Sequence, residues 1–116
     1  MAFRHTVLIV AALAASVSAF ALPASADETG LAGIHTWMKV GRKTCFSDHM
    51  HVGNSSGKSS KKAALKGAIT SWEEFTAAEY GTDWAYFRHA IKKMSGCSKD
   101  YEGWGCTVEA TPCRPR

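Results

Sequence analysis

Residues 60–81 read SKKAALKGAITSWEEFTAAEYG, and the fold follows from how that stretch is parsed. Leu65, Ala68, Ile69, Trp72, Phe75 and Thr76 recur at three- and four-residue steps, the period of one helix face. Lys61, Lys62, Lys66, Ser71, Glu73 and Glu74 fall on the other sides. Ser59 or Ser60 can cap the N-terminal end, because a serine hydroxyl accepts from one of the backbone N–H groups that a first turn leaves unbonded. Gly81 stands where a C-terminal glycine cap belongs. The pattern predicts one long helix over residues 60–80. Gly67 inside it costs up to about 1 kcal/mol relative to alanine, which points to close packing at that turn.

The flanks read as strands. Trp37-Met38-Lys39-Val40 and Thr44-Cys45-Phe46 are strand formers around Gly41-Arg42-Lys43, which suits either the turn of a short hairpin or a bulge in one strand, and residues 53–60 are loop by composition. In residues 84–94, Trp84, Phe87, Ala90, Ile91 and Met94 keep helical spacing behind Thr82 or Asp83 as a cap, so a helix is expected in the first half. From Met94 onward, turn residues and Cys106-Thr107-Val108-Glu109-Ala110 favour a terminal hairpin. The expected class is α+β: one long helix packed on a small antiparallel sheet, with Leu65, Ile69, Trp72, Phe75, Trp84 and Phe87 buried.

The beginning of the chain carries an address. Arg4 and His5 precede an apolar and small-residue run, VLIVAALAASVSAFAL over residues 7–22, then Pro23 and Ala24-Ser25-Ala26. This is the order of a signal peptide with an A-x-A cleavage site. A helix of that run reaches about 24 Å, short of the roughly 30 Å hydrocarbon core, so no membrane span is expected after cleavage. Residues 1–26 are read as the signal peptide, residues 27–33 as a flexible leader, and residues 34–116 as a single small domain. The alanine-rich run is of the bacterial general-secretory kind, and the expected location is the periplasm or the outside of a bacterium. The formal net charge is +4 for the whole chain, with both signs spread along it; a specific nucleic-acid partner is not expected.

Cysteine usage agrees with export. Cys45, Cys97, Cys106 and Cys113 all follow the cleavage site, and an even count in a short exported chain reads as a disulfide framework. Four cysteines allow three pairings. The hairpin reading favours Cys97 with Cys106 across a glycine-bearing turn, leaving Cys45 with Cys113 to tie the start of the domain to its end. In the chain-entropy model so long a loop contributes about 4 kcal/mol. Zinc on the cysteines and a thioredoxin-like role both require a Cys-x-x-Cys spacing that the sequence lacks.

Ser71-Trp72-Glu73-Glu74-Phe75-Thr76, Glu79-Tyr80-Gly81, Trp84-Ala85, Gly103-Trp104-Gly105-Cys106 and the segment from Val108 to Arg114 together resemble small exported cysteine-containing proteins of Gram-negative bacteria. The resemblance covers about the last two thirds of the mature domain. It implies an exported, disulfide-bonded bacterial protein and transfers no catalytic residue.

Three constellations bear on function. Gly57-Lys58-Ser59 before a helix invites a phosphate-loop reading, but the motif requires a glycine at position 52, where Val52 stands. What survives is a weak anion patch of Lys58, Lys61, Lys62 and Lys66 over the first helical turns, against the alternative of a solvated lysine face. Asp48-His49-Met50-His51 is more suggestive. In an extended strand His49 and His51 project from one face and can share a Zn²⁺, Cu²⁺ or Ni²⁺ ion, with Asp48, His35 or His89 completing the set. The alternative is two partly exposed histidines beside a loop. Finally, Trp37, Trp72, Trp84, Trp104, Tyr80, Tyr86 and Tyr101 serve either a core or an aromatic row that stacks on envelope sugars or a partner.

No serine or cysteine stands beside a recognisable base, and the chain is expected not to be an enzyme. Two roles compete. One is a non-enzymatic envelope protein that needs no cofactor and binds or supports a macromolecular partner, an envelope protein or a polysaccharide. The other is a periplasmic divalent-metal-binding protein built on His49 and His51. The export reading is checked by intact-mass analysis of the native material: the expected mass is that of a chain beginning at Asp27 and lacking four hydrogens, and four alkylatable thiols would contradict it.

Overall fold

The computed structural model describes residues 28–115; the signal-peptide reading falls outside them. The expected helix is present as α1, Lys61–Tyr80, with Ser60 as its N-cap: the Ser60 Oγ accepts from the Ala63 N–H at 3.1 Å. Gly81 ends it with φ at 101°, a backbone angle that L side chains rarely adopt.

Two three-stranded antiparallel sheets complete the α+β fold. The first has the order β1-β2-β6, with β1 Trp37–Val40, β2 Lys43–Phe46 and β6 Cys113–Arg114; the second is β3-β5-β4, with β3 His51–Asn54, β4 Ile91–Asp100 and β5 Gly103–Thr111. At Gly41 the chain forms the hairpin rather than the bulge. The terminal hairpin is longer than expected and stops at Thr111, after which the chain crosses at the fully buried Pro112 into the other sheet. Both expected disulfides form across paired strands. Cys97 faces Cys106 in the β4/β5 register and Cys45 faces Cys113 in the β2/β6 register.

Packing rotates the helix relative to the expected face. The fully buried residues are Ala64, Ala68, Trp72, Thr76 and Tyr80, one row at four-residue steps, while Leu65 and Ile69 flank it half-buried. Phe75, expected in the core, is 52% exposed. The reason lies on β3. A Cβ on Gly53 would collide with the backbone oxygen of Ala68 and stand 2.6 Å from the Trp72 nitrogen. The strand therefore lies directly on the helix backbone, and only the small Ala64 and Ala68 fit beneath the sheet. This corrects the reading of residues 53–60 as loop, since β3 continues through Gly53 to Asn54.

The expected helix near Trp84 is replaced by two 3₁₀ turns, Thr82–Trp84 and Phe87–His89, followed by β4. One helix would aim Trp84 and Phe87 at one face. Here they serve different clusters: Trp84 stacks on Phe46 at 4.4 Å, and Phe87 meets Trp72 edge-on at 5.2 Å. Phe87 itself is only half-buried. The leader is also engaged. Thr29 donates from its N–H to the Tyr80 carbonyl and from its hydroxyl to the Glu79 carbonyl, satisfying two helix-terminal acceptors, and Ala32 is fully buried. Among the described residues no helix is long and apolar enough to cross a membrane.

Gly53→Ala is expected to lower stability by about 3 kcal/mol, the upper end of the cost of overpacking, whereas Gly33→Ala, whose added Cβ meets nothing within 4 Å, should change it by less than about 0.5 kcal/mol. Chemical denaturation of the two variants checks this; equal effects would refute the close approach.

Candidate metal centre

β3 alternates, placing His51 and Gly53 toward the helix and Val52 and Asn54 outward. Because Gly53 lets the strand sit on the helix, the His51 ring enters beneath the buried row. It stacks on Tyr80 at 5.1 Å and is flanked by Phe75 at 4.7 Å. The Trp72 indole N–H donates to the His51 carbonyl at 3.0 Å and fixes the backbone there.

The hydrogen bonds of the ring determine where its proton sits. His51 Nδ1 lies 2.8 Å from the Thr76 hydroxyl, and that hydroxyl donates its one proton to the Trp72 carbonyl at 2.7 Å. With that proton on the Trp72 carbonyl, Thr76 accepts from His51 Nδ1–H and the lone pair falls on Nε2; with the hydroxyl turned to Nδ1 instead, the ring proton would sit on Nε2 beside Glu79. Nε2 is buried, has no hydrogen-bond partner, and stands 3.1 Å from Glu79 Oε2. In the first arrangement the lone pair lies close to a carboxylate, a pairing that a cation between them would relieve.

A second proton on the ring is disfavoured. Burial pushes the His51 pKa down from its usual 6.5 to about 4; Glu79 opposes this, and His49 and His35 add to the lowering. His49 supplies a second imidazole. Its ring is 4.8 Å from that of His51, it stacks on His35 at 4.5 Å, and its Nε2 is likewise buried without a partner. One donor atom each from His49, His51 and Glu79 lie within 4.8 Å of one another.

An outer ring of groups holds this set. Burial raises the Tyr80 hydroxyl well above its usual pKa, with Glu79 adding to the effect, so the phenol keeps its proton. The Tyr80 hydroxyl lies 2.8 Å from His35 Nε2. His35 Nδ1 lies 3.6 Å from Asp48.

The structure therefore brings His49 and His51 together but completes the set with Glu79. Asp48 turns to His35, and His89 sits apart, accepting from the Arg88 Nε–H at 3.3 Å. Glu79 escaped the sequence reading because it lies 28 residues from His51; its one signal is an acid in the last helical turn, where the helix dipole disfavours negative charge. In the expected anion patch, Lys58 and Lys66 line a groove of about 430 Å³ with Thr70, Ser71 and Glu74, while Lys61 and Lys62 are exposed beside the N-cap. Trp72 and Trp84 are core, and Tyr101 projects fully from the β4–β5 turn. Comparison with protein-family models, with curated proteins and with solved structures returned no match, so the site is judged on its own geometry.

The pKa direction has a consequence for stability. Between pH 6.5 and 4 the unfolded chain protonates His51 and the folded chain does not, so stability falls as the pH drops through that window. Thermal melts across it should show a steeper loss for wild type than for His51→Gln, in which that proton uptake is gone. Parallel slopes would contradict the buried, neutral His51.

Proposed function

We propose that this chain is a small exported, non-catalytic protein that binds a divalent transition-metal ion through His49 Nε2, His51 Nε2 and Glu79 Oε2. The observation that carries the reading is the buried, unpartnered His51 Nε2 facing the Glu79 carboxylate at 3.1 Å, with the other ring nitrogen committed to Thr76. Donors around a tetrahedral ion at 2.0–2.1 Å lie about 3.3 Å apart, so His51 and Glu79 are already spaced for one, and His49 completes the set by a small inward shift. Two imidazoles and a carboxylate suit Zn²⁺, Cu²⁺ and Ni²⁺. Rings of Phe75 and Tyr80 against the site favour retention of an ion over admission of a substrate. Export is supported by the signal-like N-terminal sequence and by two disulfides, which persist in oxidising compartments.

A macromolecular partner, such as an envelope protein or a polysaccharide, is the second reading. It is favoured by Ile34, 77% exposed, and by Leu31 and Trp37, both also exposed, with the Trp37 indole N–H donating to the Ala32 carbonyl.

Calorimetric titration with Zn²⁺, Cu²⁺ and Ni²⁺ tests the metal reading. One ion per chain is expected, with affinity at least about 100-fold weaker in His51→Ala and Glu79→Gln, and a hundredfold excess over Kd should stabilise the fold by about 2.7 kcal/mol. Absence of binding, or binding unchanged in both folded variants, would overturn it.

A further inference from the structure

We infer that Thr76 is the positioning residue that selects the imidazole tautomer through which His51 takes its ion. This rests on the metal reading above and goes beyond it, because Thr76 touches no ion itself.

The inference follows from counting protons. A helical threonine commonly donates back to the carbonyl four residues earlier, and Thr76 does so to Trp72. Its remaining capacity is then acceptance, and the ring atom facing it at 2.8 Å is His51 Nδ1, which we take as the N–H donor. Both groups are buried, so water does not compete for either. The Trp72 indole N–H holds the His51 carbonyl while the Trp72 carbonyl orients the Thr76 hydroxyl, so one tryptophan fixes both the strand and the group that reads the ring.

Removing the hydroxyl inverts the arrangement. An imidazole N–H in an apolar pocket needs an acceptor, and the acceptor then within reach is Glu79 Oε2, 3.1 Å from Nε2. In Thr76→Val the proton moves to Nε2, and a small turn of the Glu79 carboxylate lets it accept there. The ring is then satisfied and the fold persists, but the nitrogen facing His49 and Glu79 no longer offers a lone pair. The lone pair now sits on Nδ1, against the helix. Threonine thus acts on the ion as the carboxylates and carbonyls behind metal-bound histidines do, by fixing which nitrogen is free.

The test has two readouts, one of which needs no metal. Nitrogen-15 NMR of the imidazoles in the metal-free mature protein is expected to show His51 with the proton on Nδ1 in wild type and in Thr76→Ser, and on Nε2 in Thr76→Val. Zn²⁺ titration is expected to give Thr76→Val an affinity roughly 10- to 100-fold weaker, with Thr76→Ser close to wild type. A wild-type His51 protonated on Nε2 overturns the inference whether or not the valine variant folds. A folded Thr76→Val that binds Zn²⁺ as tightly as wild type also overturns it, and leaves the metal reading standing. Wild type with the expected tautomer but without affinity for Zn²⁺, Cu²⁺ or Ni²⁺ overturns the metal reading, and the inference falls with it.

Discussion

A strand pressed onto the helix backbone at Gly53 governs the rest of the molecule. No side chain separates β3 from Ala68 and Trp72 at that point, so the residue two positions earlier, His51, enters beneath Thr76 and beside Tyr80 instead of resting at the surface. The Trp72 indole N–H then reaches the His51 carbonyl, and a longer, 3.4 Å contact runs to the Ala110 carbonyl on the neighbouring strand. A bulkier row than Ala64 and Ala68 would lift the sheet and withdraw the imidazole from its pocket.

The two disulfides let so small a domain keep this arrangement. Each lies within one sheet, and Cys45–Cys113 spans 68 residues, joining the first hairpin to the last strand. Around it a second cluster of Ala32, Phe46, Tyr80 and Trp84 packs next to the histidines, with Arg114 held between Trp37 and Trp84 at 4.8 and 5.3 Å from the ring centres. Tyr80 belongs both to this cluster and to the site, where its ring stacks on His51 at 5.1 Å. The Glu79 backbone is held from the leader side, where the Thr29 hydroxyl donates to its carbonyl.

Local signals were legible in the sequence. Ser60 and Gly81 mark the helix ends, Gly41 marks a turn or bulge, and the glycine-bearing stretch between Cys97 and Cys106 selects the disulfide pairing, because each is decided by neighbours within a few residues. The pair His49 and His51 was legible for the same reason. What depended on the approach of β3 was not. The helix face turned by one residue toward Ala64, Phe75 moved outward, and Glu79 arrived beside His51, since none of these follows from a hydrophobic period. Trp84 and Phe87 kept helical spacing without a helix because they feed two clusters.

The central claim is a divalent ion held by two imidazoles and one carboxylate, and X-ray absorption at the zinc edge of protein loaded with one equivalent of Zn²⁺ tests it most directly. The account predicts a four-coordinate light-atom shell at about 2.0–2.1 Å, with the outer-shell scattering of two imidazoles, both lost in a His49→Ala/His51→Ala variant. A six-coordinate oxygen shell without imidazole scattering, or a spectrum unchanged in that variant, would contradict it.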